Sequence, residues 1–195
     1  MNLNLSFDIK PAVAADYERL SVLWRSVECL HYQALPHIFR NPDEEPPTRS
    51  AAENLIVGPD STILIAETNN EIVGFVALKI YRVEQTPRMR GRRFAMVENM
   101  AVDPLHRRRG IGRALLRAAE DWATERGIAG LQLFVWEFND AAARFYESEG
   151  FVTELRGWDD GGRILRAGDF ENSTSRGSER RVVGLRLGHG SAFSF

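Results

Sequence analysis

The feature that most constrains this chain is a strand that runs into an arginine- and glycine-rich turn and then into a helix. The turn and the start of the helix are Arg107-Arg108-Arg109-Gly110-Ile111-Gly112-Arg113, directly after the largely apolar segment 97–106. Backbone N–H groups at a helix N-terminus lack intrahelical partners and carry the positive end of the helix dipole, so anions bind there. Glycine at 110 and 112 removes Cβ atoms that would keep a diphosphate away from the backbone. The segment therefore predicts a diphosphate-bearing ligand.

Two well-known phosphate-binding loops fit this segment poorly. The Walker-type loop has Lys-Ser/Thr after its last glycine, whereas this chain has Arg113-Ala114 at that place. The dinucleotide-binding fingerprint has a third glycine where Leu115 stands, and it normally opens the first βαβ unit of a domain. Here the segment lies past the middle of the chain. The sequence therefore disfavours both of these classes of phosphate-binding loop.

Composition narrows the class of protein further. The chain has 195 residues, which suffices for one well-cored domain, and its formal net charge of −2 argues against a dedicated nucleic-acid binder. Cys29 is the single cysteine, so no intrachain disulfide is possible and a reducing compartment fits. The N-terminal segment lacks the basic start and apolar core of a signal peptide, and no apolar run could span a bilayer. We expect a cytoplasmic protein without nucleic-acid or membrane partners.

Hydrophobic periodicity predicts a mixed α/β fold. A strand over 5–10 stops at Pro11, and Asp16 caps a helix whose apolar stripe comprises Tyr17, Leu20, Val22, Leu23 and Val27. A second helical piece is expected over 29–39 and a short helix over 50–56. Alternating residues then predict two strands, 62–66 and 72–78, joined in a hairpin by Asn69 and Asn70.

The second half of the chain continues this alternation of strands and helices. We expect a five-arginine loop over 82–93, a strand over 94–102, and a helix that starts after Gly110 and ends at Gly127. The remaining expected elements are a strand over 131–135, a helix capped by Asn139 or Asp140 and ended by Gly150, and strands over 151–155 and 182–187. This order predicts a mixed sheet with helices on both faces.

Three segments together resemble the GNAT superfamily of N-acetyltransferases. The spacing Arg107-x-x-Gly110-x-Gly112 after a strand ending Met100-Ala101-Val102-Asp103-Pro104 is similar to the family's coenzyme-binding signature. Asn139 opens the helix after the next strand, and Phe145-Tyr146-Glu147-Ser148-Glu149-Gly150-Phe151 resembles the family's Phe-Tyr-x-x-x-Gly-Phe segment. The entry strand and helix, with Pro11, Asp16 and Leu20, also fit the family. The resemblance covers residues 5–156 of a single domain spanning 1–195.

The resemblance implies a fold and a coenzyme. The expected GNAT fold is a mostly antiparallel sheet of about six or seven strands, with a bulge in the fourth strand and a V-shaped splay between the fourth and fifth. Acetyl-CoA would be the cosubstrate, without a metal. By the resemblance, the coenzyme would be bound by residues of the strand, the turn and the following helix: Met100, Ala101, Val102, Arg107, Arg108, Arg109, Gly110, Ile111, Gly112, Arg113 and Asn139.

Tyr146 and Glu98 are the candidate catalytic residues. When an amine attacks the thioester, coenzyme A leaves as a thiolate, and the phenol of Tyr146 has an ordinary pKa near 10, close to that of an alkyl thiol. A tyrosine that merely packs beside Phe145 is the alternative. Glu98 lies where several family members place a base, and period two puts its side chain on the same face as Met100. A solvated strand carboxylate remains an equal alternative.

The acceptor, the C-terminal segment and the mechanism are less constrained. His31 and His37 lie in the segment that roofs the acceptor site in the family, without partners at metal-ligand spacing. No second strand of the closing hairpin follows 151–155 directly, so 157–195 is atypical, and Trp158 and the tail could form a homodimer contact. The expected activity is acetyl transfer to a primary amine by direct attack in a ternary complex. The alternatives are a non-catalytic acyl-CoA sensor and a modifier of protein N-termini.

Overall fold

The computed structural model describes residues 6–44, 49–88, 90–156 and 162–167, with only the backbone of 154–156 and 162–167. The chain divides into two compact units at residue 131, which are described separately. Within these described ranges no helix is both long and apolar enough to cross a membrane.

The first unit contains four strands, paired antiparallel in the order of the chain. They are β1 (Asp8–Pro11), β2 (Ser61–Thr68), β3 (Glu71–Val83) and β4 (Arg92–Val102). Its helices are α1 (Tyr17–Ala34), α2 (Arg49–Val57) and α3 (Ile111–Thr124). The turn between β2 and β3 has positive φ at Asn69 and Asn70, 48° and 65°, as a two-residue type I′ hairpin requires. The predicted hairpin is therefore confirmed.

Helices cover both faces of this four-stranded sheet. One face, which we call the α1 face, carries Ile63, Ile65, Phe75 and Ala77 and packs against side chains of α1 and α2. Helix α3 packs on the opposite face, where a Cβ atom at Gly74 would lie 3.1 Å from the side chains of Ile111 and Leu115. This close approach of helix and strand depends on glycine. In β4, Ala95 and Val97 are buried in this arrangement.

The core beneath α1 gives a stability prediction with a matched control. Leu20 is fully buried, whereas Leu30 on the same helix is 45 % exposed. Leu20→Ala leaves a cavity and is expected to lower the free energy of unfolding by about 3 kcal/mol, and Leu30→Ala by under about 1 kcal/mol. Urea denaturation followed by circular dichroism measures both. Equal losses for the two variants would contradict this assignment of the core.

The second unit contains the last three described strands and one helix. These are β5 (Leu131–Trp136), α4 (Asp140–Ser148), β6 (Phe151–Arg156) and β7 (Gly162–Ala167). Strand β7 pairs antiparallel with both β5 and β6. The predicted mixed α/β class with mostly antiparallel pairing is confirmed. The predicted splay between the fourth and fifth strands concerns different units and stays a prediction.

Three expectations about local structure are wrong. Helix α1 continues to Ala34 without a break near residue 29, and Trp24 Nε1 donates to Glu28 Oε1 at 3.1 Å within it. Val22 does not belong to the apolar stripe, because it is 73 % exposed. The loop expected over 82–93 is shorter, because β3 extends to Val83 and β4 begins at Arg92.

The closing hairpin also differs from the expectation. Strand β7 follows β6 after five residues, whereas the sequence offered only 182–187 as its return strand. Residues 162–167 alternate too weakly in hydrophobicity to signal a strand, and pairing with β5 and β6 defines them instead. Residues 182–187 and Trp158 lie outside the described residues.

Candidate functional site

A β-bulge lies in the middle of β4. Ala77 of β3 pairs with Asn99 and Leu78 pairs with Val97, so Glu98 is an extra residue in β4 without a direct partner. Such an insertion bends the strand and interrupts the regular ladder. The bulge that the family resemblance implied in the fourth strand is therefore confirmed, and it falls on the candidate base.

The bulge reverses the direction of side chains along β4. Directly paired residues of neighbouring strands point to the same face of the sheet. Met100 pairs with Val76, which alternates with Phe75 and so points away from the α1 face. The Tyr81 hydroxyl donates a hydrogen bond to the Glu98 carboxylate, and Tyr81 shares the odd-numbered face of β3 with Phe75. The prediction that Glu98 and Met100 point to one face is wrong, because the inserted residue shifts the period by one.

Glu98 lies in an environment suited to a base. Although water reaches its side chain, enough protein surrounds the carboxylate that lost hydration raises its pKa. The hydrogen bond from Tyr81 and the positive charge of Lys79 act in the opposite direction without cancelling that effect. A pKa moved from the ordinary carboxylate range toward neutrality improves a general base at physiological pH.

The segment after β4 is fixed by side chains. Asp103 Oδ1 accepts from the Leu105 N–H at 2.9 Å and lies 2.9 Å from His106 Nδ1. The hydrogen bond with His106 is the main reason that the pKa of Asp103 is lowered. Arg107 Nε donates to the Val102 carbonyl at 3.1 Å. The side chain of Arg107 therefore folds back on the end of β4 instead of pointing only outward.

The turn before α3 has the geometry of an anion cradle. Arg108 and Gly110 adopt positive φ angles of 63° and 83°. The Ala114 N–H donates to the Gly110 carbonyl at 3.0 Å, and the amides of Ile111 and Gly112 precede that donor in the first turn of the helix. A Cβ atom at Gly110 would have no heavy atom within 4 Å. Open space at Gly110, next to the N-terminus of α3, fits a diphosphate.

The other residues predicted to bind the coenzyme are placed as follows. Ile111 is anchored by its buried side chain, whereas Arg107, Arg108 and Arg109 are exposed. Ala101 packs against the hydrophobic layer of the α1 face, and Arg113 lies in the first turn of α3. The structure therefore gathers the residues from 100 to 113 along one edge and turn of the first unit.

In the second unit, Asn139 and Tyr146 belong to helix α4. Asn139 is the N-cap, and its Oδ1 accepts from the Ala142 N–H at 3.1 Å, as the sequence predicted. Tyr146 is buried, with its ring 5.2 Å from that of Phe145 and 5.6 Å from that of Phe151. Burial raises the pKa of Tyr146 above its ordinary value, so its hydroxyl keeps its proton at neutral pH. The pKa of Tyr146 is therefore further from that of an alkyl thiol than the ordinary pKa of a phenol is.

The segment after α1 forms a cleft of about 500 Å³ lined by Tyr32, Pro36, His37, Ile38, Phe39, Arg40, Asn41 and Glu44. The ring of His31 stacks on that of Phe39 with centroids 4.9 Å apart, and burial lowers the pKa of His31 so that it favours the neutral form.

Over the ranges with described structure, no three His, Cys, Asp or Glu side chains are grouped to hold a metal ion. Of the exposed arginines, Arg82 pairs with Asp60 at 3.1 Å.

Sequence reasoning missed Tyr81 as a neighbour of the candidate site. Its ring stacks on Phe94 at 5.8 Å, directly across the ladder between β3 and β4. The alternation of Lys79 and Tyr81 placed them on one face of β3, but which residues of β4 share that face depends on the register between the two strands. That register is set by pairing between strands and has no signal in β3 alone.

A family match and sequence relatives agree with this geometry. The sequence model of the Acetyltransferase (GNAT) family matches residues 27–151, more than half of the chain. The uncharacterized N-acetyltransferase MJ1207 of Methanocaldococcus jannaschii is 34% identical over 96 residues, 48% of this chain and 41% of that protein. The [ribosomal protein bS18]-alanine N-acetyltransferase of Escherichia coli is 49% identical over 57 residues, 29% of this chain and 38% of that protein. Streptothricin acetyltransferase A of Bacillus subtilis is 37% identical over 59 residues, 30% of this chain and 34% of that protein.

The chain thus matches less than half the length of these curated relatives, whereas solved structures match over nearly their whole length. A mutant of the BH1408 protein from Bacillus halodurans superimposes with a TM-score of 0.74 at 25% identity, covering 78% of this chain and 97% of that chain. The PaiA N-acetyltransferase of Thermoplasma acidophilum, solved with coenzyme A, superimposes with a TM-score of 0.68 at 23% identity. The match covers 83% of this chain and 98% of that chain. The second likeness supports the fold alone. Together with the family match over 27–151, these findings show that the chain belongs to the GNAT acetyltransferase family.

Proposed function

We propose that this protein transfers an acetyl group from acetyl-CoA to a primary amine by direct attack in a ternary complex. The observation that carries the proposal is the sequence of three features in one stretch of the first unit. These are a bulge at Glu98, the end of β4 at Val102, and a turn with positive φ at Arg108 and Gly110 that opens α3. Membership of the GNAT family supports the same reaction.

Acetyl-CoA is the proposed donor, and its thioester supplies the activated acetyl group. We propose that backbone groups of Met100, Ala101 and Val102 bind the pantetheine arm and that residues 107–113 bind the diphosphate. Open space at Gly110 and the fold-back of Arg107 onto Val102 support this assignment. Asn139 is proposed as a further contact, because its cap uses Oδ1 and leaves the amide nitrogen for a ligand. We also propose a cytoplasmic location, in keeping with the single free cysteine.

Two residues are proposed to move protons. Glu98 accepts a proton from the attacking amine, which is mostly protonated at neutral pH and must lose one before it can attack. Tyr146 donates a proton to the sulfur of the departing coenzyme. Burial keeps the Tyr146 hydroxyl protonated, and the raised pKa of Glu98 suits a proton acceptor. Direct attack is proposed because Cys29, the single cysteine, lies on α1 and not on the strand or turn described above.

A protein N-terminus is the second candidate acceptor class. The relative with the highest identity among those described acts, by its name, on the alanine of ribosomal protein bS18, with 49% identity over 57 residues. Another acts, by its name, on streptothricin, with 37% identity over 59 residues. One name specifies a protein acceptor and the other streptothricin, so the test below includes acceptors of both kinds.

The proposed function is tested by thiol release from acetyl-CoA with a panel of amines. The panel contains amino acids, polyamines, aminoglycosides, streptothricin and peptides beginning with alanine. Release that depends on one amine class is expected, with intersecting lines when both substrates are varied. Parallel lines would contradict direct attack, and coenzyme binding without release for any amine would favour the acyl-CoA sensor.

The coenzyme assignment gives a prediction at the turn. Gly110→Ala adds a Cβ atom in a left-handed conformation, within the open space assigned to the diphosphate. The dissociation constant for coenzyme A is expected to rise about tenfold, equivalent to about 1.4 kcal/mol. Isothermal titration calorimetry measures it. Gly127→Ala is the matched control, because Gly127 also has a positive φ, 69°, and open space but lies beyond the other end of α3. Similar affinity in both variants would refute the assignment.

A further inference from the structure

The Tyr81 side chain is held in one place on the α1 face of the sheet. Its ring stacks on Phe94 with centroids 5.8 Å apart and planes inclined by 18°. The Lys79 ammonium lies 5.2 Å from the centre of the same ring, a cation–π distance. Both neighbours occupy the face of the ladder that the β3–β4 register assigns to Tyr81. The hydroxyl group at the end of the ring is therefore presented from a fixed position.

The Glu98 carboxylate is the partner of that hydroxyl. Glu98 is the residue inserted at the bulge, four residues beyond Phe94 along β4, and this even spacing places its side chain on the same face of the sheet as Tyr81. The Tyr81 hydroxyl donates to the Glu98 carboxylate. One carboxylate oxygen can accept this bond while the other remains for a proton from the amine.

Other charged groups on this face do not replace Tyr81. Lys79 is the second charged or titratable neighbour that acts on Glu98. Helix α1 packs on the same face and carries Glu28 and His31. The pKa shifts of those two residues come from their own burial and, for Glu28, from Trp24 and Arg25, with no contribution from Glu98.

We propose that Tyr81 is a positioning residue whose hydroxyl aims the Glu98 carboxylate at the acceptor amine. The inference rests on the proposed role of Glu98 as base. A glutamate on an exposed strand position otherwise samples several rotamers, and ordering it costs conformational entropy. Because Phe94 and Lys79 already fix the ring of Tyr81, its hydroxyl orders the Glu98 side chain before the amine binds.

The direction of the proton in this hydrogen bond is also determined. Burial raises the pKa of Tyr81 well above its ordinary value, and the negative charge of Glu98 raises it further. The hydroxyl therefore stays protonated throughout the working pH range and acts as the donor. A bond donated to a carboxylate stabilises its charged form, so its loss raises the pKa of Glu98.

Tyr81→Phe tests this inference because it removes only the hydroxyl group. The ring contacts with Phe94 and Lys79 remain, so the melting temperature should change little. The acid limb of kcat/KM against pH is expected to move to higher pH, with a loss of about tenfold on the acid side that narrows at alkaline pH. Tyr17→Phe makes the same chemical change on α1, beneath Arg49, and should leave the profile unchanged.

A direct titration separates this inference from the proposed function. In protein with carbon-13-labelled glutamate, the Glu98 carboxyl signal, assigned by its absence in Glu98→Gln, should titrate at higher pH in Tyr81→Phe than in the wild type. In the Glu98→Gln background, Tyr81→Phe should have no further effect on the pH profile. A loss that is equal at all pH values, or an unchanged titration in an active enzyme, would overturn the positioning role alone. A shifted titration in a protein that acetylates no amine would overturn the proposed function, and the positioning role with it.

Discussion

Tyr146→Phe is expected to lower kcat by about a hundredfold or more and to leave the KM for acetyl-CoA nearly unchanged. The variant removes the proposed proton donor to the departing thiolate and retains the aromatic ring. Ring contacts with Phe145 and Phe151 persist, so the fold of the second unit should survive. The hydroxyl acts only as the carbon–sulfur bond breaks, and an interaction confined to the transition state affects kcat.

Steady-state kinetics with the best amine of the panel measure this effect, and circular dichroism melting checks the fold. Tyr17→Phe again serves as the control for loss of a phenolic hydroxyl elsewhere. A kcat within about twofold of the wild type in Tyr146→Phe would show that Tyr146 only packs beside Phe145 and Phe151. That result would remove the acid from the proposed mechanism and leave the coenzyme assignment intact.

Glu98→Gln is expected to lower kcat/KM at neutral pH by about a hundredfold and to remove one limb of the pH profile. The raised pKa of Glu98 places this limb above the ordinary carboxylate range. Activity of the wild type should fall as the pH drops through that pKa, because a protonated carboxyl cannot accept a proton from the amine. Without Glu98, the remaining pH dependence should follow ionisation of the amine alone.

Glu71→Gln is the matched control, since Glu71 is an exposed glutamate at the start of β3. It should leave both the rate and the pH profile unchanged. If Glu98→Gln kept the acid limb of the pH profile, the assignment of Glu98 as the base would be wrong, even if kcat/KM were lower. Glu98 would then be a solvated carboxylate on a strand, the alternative that the sequence could not distinguish from a base.

Local signals in the sequence predicted much of the fold. Asn69 and Asn70 favour positive φ and give the hairpin, and Gly127 ends α3 in the left-handed conformation expected of it. Asn139 caps α4 through its own side chain. These features depend on residues that are near one another in the chain, so the pattern contains the information needed.

The features that depend on pairing between strands were not predictable in the same way. The bulge at Glu98 was expected from the family, but its effect on the direction of the side chain was not, because period two assumes a regular strand. Strand β7 forms from a weakly alternating segment that β5 and β6 complete. The exposure of Val22 depends on which parts of α1 the sheet covers.

The proposed reaction is the transfer of an acetyl group from acetyl-CoA to an amine. The most direct test incubates the wild-type protein with carbon-13-labelled acetyl-CoA and the amine panel and identifies labelled products by mass spectrometry. The proposed function predicts labelled acetyl on the nitrogen of one class of amine, with strongly reduced label from Glu98→Gln and Tyr146→Phe. Tight binding of coenzyme A with no labelled amine from any class would contradict it and identify the protein as an acyl-CoA sensor.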